Sequence, residues 1–329
     1  MVLESLASLS IVEKRPISLL FVAFLVTSVG MFAAYRLFPE SSAVLTIAFT
    51  TLVFMPIMHS LFIKEEEGEV DEKDVPFAFI ATHFNLIKVY TWIFIGMIVA
   101  FSFWAVMLPE ANDDCSGFGC FVPDRQTVFS EQKKVYSFIT GKAVGTDECF
   151  SPATSGFGAC FELIFANNLW VLVLAIIFSF IWGAGALFLL GWQASVIGYF
   201  IGLEITSKSL EAGLLRAISF LPHGIPEIMA YFIAALAGGI ISVAISKQKF
   251  KPHEIRIVLV DTVLLLLLAA VTLLIGAFIE TAAILEDALM ATLGMTSFAL
   301  LYFILYIPSV RYKLDKIRKQ HAQTTQIIS

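Results

Sequence analysis

The stretch "FLPHGIPEIMAYF", residues 220–232, lies in one of the most apolar parts of the chain and decides how that part folds. Two prolines, a glycine, a histidine and a glutamate occur between Pro222 and Glu227. Proline lacks a backbone donor and disfavours helical angles in the residue before it, so Pro222 predicts the end of a helix. Gly224 permits a tight turn, and Pro226 suits the first position of a new helix.

The preceding segment, residues 204–221, predicts an amphipathic helix in the plane of the membrane interface. Its apolar residues fall at helical spacing on one face, and they are Leu210, Leu214, Ile218 and Leu221. The combined prediction is a corner at 222–227, where this surface helix turns into a spanning helix that runs to about residue 246.

The polar residues at this corner have two interpretations. In the first, His223 and Glu227 satisfy the backbone groups that a helix break exposes, with Glu227 in the first turn of the new helix. In the second, they face a polar pocket together with Asn167, Asn168 and Glu280, because ionisable residues within a membrane often mark functional sites.

The composition indicates an all-α polytopic membrane protein. Of the 329 residues, 58% are hydrophobic and only 15% are charged, whereas soluble domains contain roughly 25% charged residues. Several charge-free stretches have the length of about 20 residues that crosses a bilayer. The net charge of −6 gives no indication of nucleic-acid binding.

Eight membrane spans are predicted. They lie at about 17–38, 42–63, 89–108, 165–183, 186–205, 226–246, 257–279 and 289–310. The apolar run 167–205 is too long for one span and is divided at Gly183-Ala184-Gly185. An alternative in which 186–205 forms a re-entrant hairpin stays open at this point.

Basic residues near the span ends predict the orientation. Lys14 and Arg15 precede the first span, the loop 247–256 is basic, and so is the tail 311–329. Eight spans place all three on one side. The chain is therefore predicted to be a multi-pass protein of the plasma membrane with both termini in the cytoplasm.

Four segments are predicted. They are N-terminal helices with three spans (1–108), an exported cysteine-containing module (109–161), a helical core with five spans (162–310) and a basic cytoplasmic tail (311–329). The first segment includes an acidic cytoplasmic loop at 64–75, which is predicted either to be solvated or to dock a basic partner.

All the cysteines lie in the exported module, and they are Cys115, Cys120, Cys149 and Cys160. An even number of cysteines confined to one exported segment predicts two disulfides. The sequence does not choose among the three pairings. A zinc site is the weaker alternative, because structural zinc sites usually have close Cys pairs, whereas the spacing here fits only one pair loosely.

Four stretches together resemble the stage II sporulation protein M family. They are "FANNLW", the glycine-rich run after it, "LPHGIPE" and "GAFIE", and they cover about residues 160–285. The specific element is the core formed by Pro222, His223, Gly224 and Glu227. In sporulating bacteria the family member is a membrane scaffold that recruits wall-degrading partners during engulfment, so the resemblance implies a membrane protein without a catalytic reaction. The four cysteines and the additional spans depart from the short sporulation form.

The functional prediction is a non-enzymatic membrane scaffold. No known catalytic motif is present, and no catalytic residue, metal or cofactor is expected. The expected partners are the lipid bilayer, membrane or exported proteins, and a second copy bound through glycine faces such as Gly198 and Gly202. The alternative is a transporter or channel with a polar site at the broken helix His223–Glu227. A metal-dependent intramembrane enzyme that uses His223, Glu227 and Glu280 is a third hypothesis.

Overall fold

The computed structural model describes residues 16–71, 78–110, 122–139, 156–246 and 252–305. Within these ranges the chain is helical and contains no strand. The helices are α1 (Ser18–Leu37), α2 (Ser42–Asp71), α3 (Ala78–Met107), α4 (Arg125–Val128), α5 (Ser130–Ile139), α6 (Phe157–Trp182), α7 (Ala186–Ser207), α8 (Leu210–Ser246), α9 (Pro252–Ile284) and α10 (Ala288–Leu305).

Eight helices in the described ranges are long and apolar enough to cross a membrane, namely all except the short α4 and α5. The prediction of eight spans is therefore confirmed. Residues 186–207 form one helix, so the re-entrant hairpin at 186–205 is wrong. The basic residues that predict the orientation at both termini, Lys14, Arg15 and the tail 311–329, lie outside the described residues, and the orientation stays a prediction.

The predicted corner at Pro222–Glu227 is wrong, because α8 runs through it without interruption and contains both prolines. In a membrane bundle, neighbouring helices and local adjustments compensate for the backbone bonds that proline removes. The break lies earlier, at Lys208, whose backbone leaves the helical region. Ser209 then caps α8, since its Oγ accepts a hydrogen bond of 3.1 Å from the Ala212 N–H.

The predicted in-plane helix 204–221 is also wrong as one element. Its first residues end α7, and residues 210–221 begin α8. The acidic segment at 64–75 differs from its prediction as well, because residues 64–71 continue α2 as a helix. Glu and Lys are good helix formers, so charge alone does not end a helix there. Residues 72–77 lie outside the described ranges.

The described part of the predicted exported module packs into the helix bundle. Asp124 caps α4 by accepting a 2.8 Å hydrogen bond from the Thr127 N–H. The Phe129 ring stacks on the Tyr199 ring of α7. Gln132, which is only 1% exposed, donates through Nε2 to Ser195 Oγ at 2.8 Å. The middle of this segment is therefore fastened to a spanning helix.

Of the four cysteines, only Cys160 lies within the described residues. It is fully buried in the first turn of α6. Cys115, Cys120 and Cys149 lie outside the described residues. The two disulfides and their pairing therefore stay a prediction.

The glycine pair on α7 is used within the chain. A methyl group at Gly198 would lie 2.6 Å from the Phe101 Cβ of α3, and one at Gly202 would collide with the Ala105 Cβ. These glycines therefore allow α7 and α3 to pack at close range. They are not available as a dimer face in this structure.

Helix α8 is the central element of the bundle. It packs against α2, α6, α7 and α9, and every residue from Ala230 to Ile240 is buried. This burial follows from its sequence, which has no charged residue after Glu227 and small residues such as Gly238 at the contact with α6. Helix α8 therefore positions its polar residues against α6 and α9.

Candidate functional site

Three polar residues form a stripe on one face of α8, namely His223, Glu227 and Tyr231. They are spaced four residues apart, so in a continuous helix their side chains lie one above the other. The stripe exists because Pro222 and Pro226 do not end the helix.

Helix α6 contacts this stripe through one buried amide. Asn168 Nδ2 donates a hydrogen bond of 2.9 Å to Glu227 Oε1, and the Tyr231 hydroxyl donates one of 3.0 Å to Asn168 Oδ1. Asn168 and Glu227 are only 8% and 9% exposed. The amide therefore joins α6 to α8 at two points inside the bundle.

Helix α9 meets the same glutamate from another direction. Glu280 of α9 lies within electrostatic range of Glu227. Gly276, one turn earlier on the same face of α9, makes this approach possible, because a methyl group there would lie 2.7 Å from Glu227 Cγ. Glu227 is therefore held between the Asn168 amide of α6 and the α9 backbone at Gly276.

The polar stripe continues towards the start of α8. The His223 ring lies within electrostatic range of Glu280 and Arg216, and its buried Nδ1 has no hydrogen-bond partner among the described residues. Arg216 lies against the Phe220 ring, with its guanidinium carbon 4.9 Å from the ring centroid. Within the described ranges, neither Glu227 nor Glu280 forms an ion pair.

Glu227 and Asn168 lie near the middle of their helices, whereas Glu280 lies near the end of α9. Glu280 is one turn before the end of α9, and Glu227 is about 28 Å along α8 from Ser246. Asn168 is about three turns into α6. In the predicted topology the end of α9 that carries Glu280 is at the outer face of the membrane.

The structure brings together Asn168, Glu227 and Glu280 but not all of the other residues singled out from the sequence. Asn167 is exposed. Pro222 is also exposed, and Gly224 has no atom within 4 Å of the position where a Cβ would lie. Pro226 is buried and contacts the α9 backbone at Gly276.

Tyr231 and Gly276 belong to the network but were not predicted from the sequence. Each lies four residues from a predicted glutamate, Tyr231 after Glu227 and Gly276 before Glu280. The spacing of four residues could have identified both, because residues four apart lie on the same face of a helix. The predicted helix break at Pro222–Glu227 prevented this, since it does not allow a continuous polar stripe on α8.

The hypothesis of a metal-dependent enzyme is not supported by this geometry. Within the described ranges, no group of three or more His, Cys, Asp or Glu side chains could hold a metal ion. His223, Glu227 and Glu280 therefore do not form the metal site that was considered. The arrangement can join three helices, and it holds the Glu227 carboxyl group in a buried environment.

Comparison with known proteins assigns the chain to a family. The family model described as stage II sporulation protein M matches residues 93–283, a range that contains Asn168, Glu227 and Glu280. No curated protein and no solved structure matches the chain. Because the family match covers more than half of the 329 residues, the chain belongs to the stage II sporulation protein M family.

Proposed function

We propose that this protein is a non-enzymatic integral membrane scaffold that organises partner proteins at the membrane. The observation that carries the proposal is the use of the polar residues in contacts between helices. Asn168 is hydrogen-bonded to both Glu227 and Tyr231, and the α9 backbone at Gly276 packs against Glu227. Such a buried network supports a rigid core more directly than an open substrate path.

The position of the α4–α5 segment also supports a scaffold. Arg125 donates to the Leu108 carbonyl at 3.0 Å, and Gln132 is bonded to Ser195 of α7. These contacts hold the segment in a fixed position on the spanning helices. A segment in a fixed position suits a surface that presents itself to other proteins.

The homodimer is retained as part of the proposal, but its interface must lie elsewhere than Gly198 and Gly202. Those residues contact Phe101 and Ala105 of the same chain. Light scattering of the full-length protein in detergent and in nanodiscs tests the stoichiometry. A mass of one chain at every concentration would contradict the homodimer.

Site-specific photo-crosslinking in the native membrane tests the scaffold. A photoreactive residue replaces Lys133, which is exposed on α5, and a matched variant carries it at Phe21, which is exposed on α1. If the protein is a scaffold, position 133 should give a reproducible adduct to another protein, and position 21 should not. Adducts to lipid alone at both positions would contradict it.

The transporter alternative has lost its original premise, since α8 is not broken at His223–Glu227. It retains one supporting observation, the polar stripe on α8. Reconstitution into liposomes tests it. Ion or solute flux that disappears in Glu227→Gln would replace the scaffold proposal, whereas equal leakage with and without the protein would exclude this alternative.

A further inference from the structure

Arg216 is a positive charge near the start of α8 that has no counterion among the described residues. Its buried Nε also has no hydrogen-bond partner there. The positions three and four residues away, where a partner on the same helix would lie, hold no acidic side chain. By contrast, Lys208 at the end of α7 is paired with Glu204 at 2.8 Å. The N–H donors of Arg216 are therefore available to a ligand, whereas Lys208 already has a partner.

Phe220 positions the guanidinium group of Arg216. The guanidinium carbon lies 4.9 Å from the centroid of the Phe220 ring, a geometry in which a cation is attracted to the aromatic face. The Phe220 ring packs in turn against Phe200 of α7, with the two ring centroids 6.2 Å apart. Arg216 is half-buried. The charge is therefore held against the bundle and does not extend freely into solvent.

The length of α8 places its first residues beyond the hydrocarbon core of the membrane. Helix α8 has 37 residues, which corresponds to about 55 Å, whereas the hydrocarbon core is about 30 Å thick. Residues 228–246 carry no charged side chain and are about as long as one crossing. The excess length therefore lies at the start of α8, so residues 210–221 extend into the headgroup region. In the predicted topology this is the outer leaflet.

The start of α8 also exposes large apolar side chains around Arg216. Each is more than half exposed, and they are Leu210, Leu214, Leu215, Ile218 and Leu221. In water such a group of side chains is unfavourable, whereas at a membrane surface the same side chains insert between lipid chains. This part of α8 therefore stays at the membrane surface, and Arg216 borders lipid.

The charged groups near Arg216 leave its charge uncompensated. His223 contacts the same Phe220 ring, with the ring centroids 6.2 Å apart, and Glu280 lies within electrostatic range of that imidazole. Glu211 is exposed in the first turn of α8. Neither acid forms an ion pair with Arg216 in the described ranges. A lipid phosphate is an anion of the headgroup region, and the planar fork of arginine matches its geometry.

We propose that Arg216 binds the phosphate group of an anionic phospholipid, whose acyl chains contact the exposed apolar residues at the start of α8. Phe220 is the positioning residue, because it holds the guanidinium group in place. A lipid bound in this way joins the start of α8 to the surrounding leaflet. This property goes beyond the scaffold role and does not depend on it.

Native mass spectrometry of the full-length protein tests the proposal, with phosphatidylglycerol and phosphatidylcholine as the probes. Wild type should bind phosphatidylglycerol more tightly, because only this lipid has a net negative charge. Arg216→Gln should raise the dissociation constant for phosphatidylglycerol by about fivefold, which is the effect of one basic residue at an anionic surface. Lys208→Gln is the matched control and should bind like wild type, since it removes a charge that is already paired with Glu204.

Three outcomes of these titrations would overturn the proposal. The first is equal binding of phosphatidylglycerol by wild type and Arg216→Gln. The second is equal affinity of wild type for the two lipids, a comparison that needs no variant and therefore stays decisive if Arg216→Gln does not fold. The third is displacement of phosphatidylglycerol by inorganic phosphate at the same concentration, which would identify free phosphate as the ligand.

Discussion

Asn168 illustrates how one side chain can join two helices at the residue scale. It is the only described side chain that is hydrogen-bonded both to Glu227 and to Tyr231, at 2.9 and 3.0 Å. Each partner is buried and, without Asn168, would lose that hydrogen bond. An unsatisfied buried polar group costs about 1–3 kcal/mol.

The corresponding prediction is that Asn168→Ala lowers the free energy of unfolding by about 1–3 kcal/mol, because it leaves Glu227 and Tyr231 without this partner. Denaturant unfolding in detergent measures the change. The neighbouring Asn167 is exposed, so Asn167→Ala is the control and should stay close to wild type. Equal effects of the two substitutions would show that the network does not stabilise the fold.

Gly276 and Gly224 allow a second comparison of single residues. A methyl group at Gly276 would lie 2.7 Å from Glu227 Cγ, whereas nothing lies within 4 Å of the same position at Gly224. Gly276→Ala should destabilise the protein by about 1–3 kcal/mol through overpacking. Gly224→Ala should be neutral or stabilising by up to about 1 kcal/mol, because alanine favours the helix.

Thermal unfolding of both glycine variants provides the measurement. The two residues lie on adjoining helices, so a general loss of membrane insertion would affect them alike. A stable Gly276→Ala variant would mean that α9 does not approach Glu227 as closely as described. A destabilised Gly224→Ala variant would indicate a turn at that position in place of the continuous α8.

At the scale of the helices, the contact of α5 with α7 depends on an incompletely satisfied polar pair. Gln132 donates to Ser195 Oγ at 2.8 Å, while its buried Oε1 has no partner among the described residues. Ser195→Ala would also leave Nε2 without a partner and should cost about 1–3 kcal/mol. The double variant Ser195→Ala with Gln132→Leu should recover most of this loss, because it removes both polar groups.

A double-mutant cycle of unfolding free energies measures this recovery. Gln132→Leu alone should be close to neutral, since it exchanges a half-satisfied amide for an apolar side chain of similar size. If the losses of unfolding free energy in the two single variants simply added in the double variant, Gln132 and Ser195 would not be coupled. In that case α5 would not pack on α7 at this point.

The helices also show what could be predicted from the sequence and why. The eight spans follow from length and apolarity, which are local properties, and the structure agrees with them. The break at Pro222–Glu227 was wrong because the local preference of proline was overridden by the packing of α8 against α6, α7 and α9. Gly276 was missed for a related reason, since its importance depends on a contact with Glu227 of another helix.

At the scale of the whole molecule, the cysteines link the predicted topology to the chemistry of the exported side. All four lie in residues 109–161, and Cys160 is fully buried in the first turn of α6. If this segment is exported, mass spectrometry of the native protein should find two disulfides and no free thiol. Reduction should then lower the thermal midpoint, since each cross-link is worth about 2–4 kcal/mol.

The native protein itself provides the control for the disulfides, through alkylation before and after reduction. If the protein contains two disulfides, no cysteine should be alkylated before reduction and four cysteines should be alkylated after it. Four alkylated cysteines before reduction would contradict both the disulfides and the export of the segment.

The orientation of the molecule decides which compartment the end of α9 that carries Glu280 faces. An even number of spans places both termini on the same side, and the basic segments 247–256 and 311–329 predict that this side is the cytoplasm. A fluorescent protein that folds only in the cytoplasm should therefore be active when fused after Ser329. Fused within residues 140–155 it should be inactive, whereas an export-dependent phosphatase should show the opposite pattern. Activity of the phosphatase after Ser329 would reverse the topology, and the end of α9 that carries Glu280 would then face the cytoplasm.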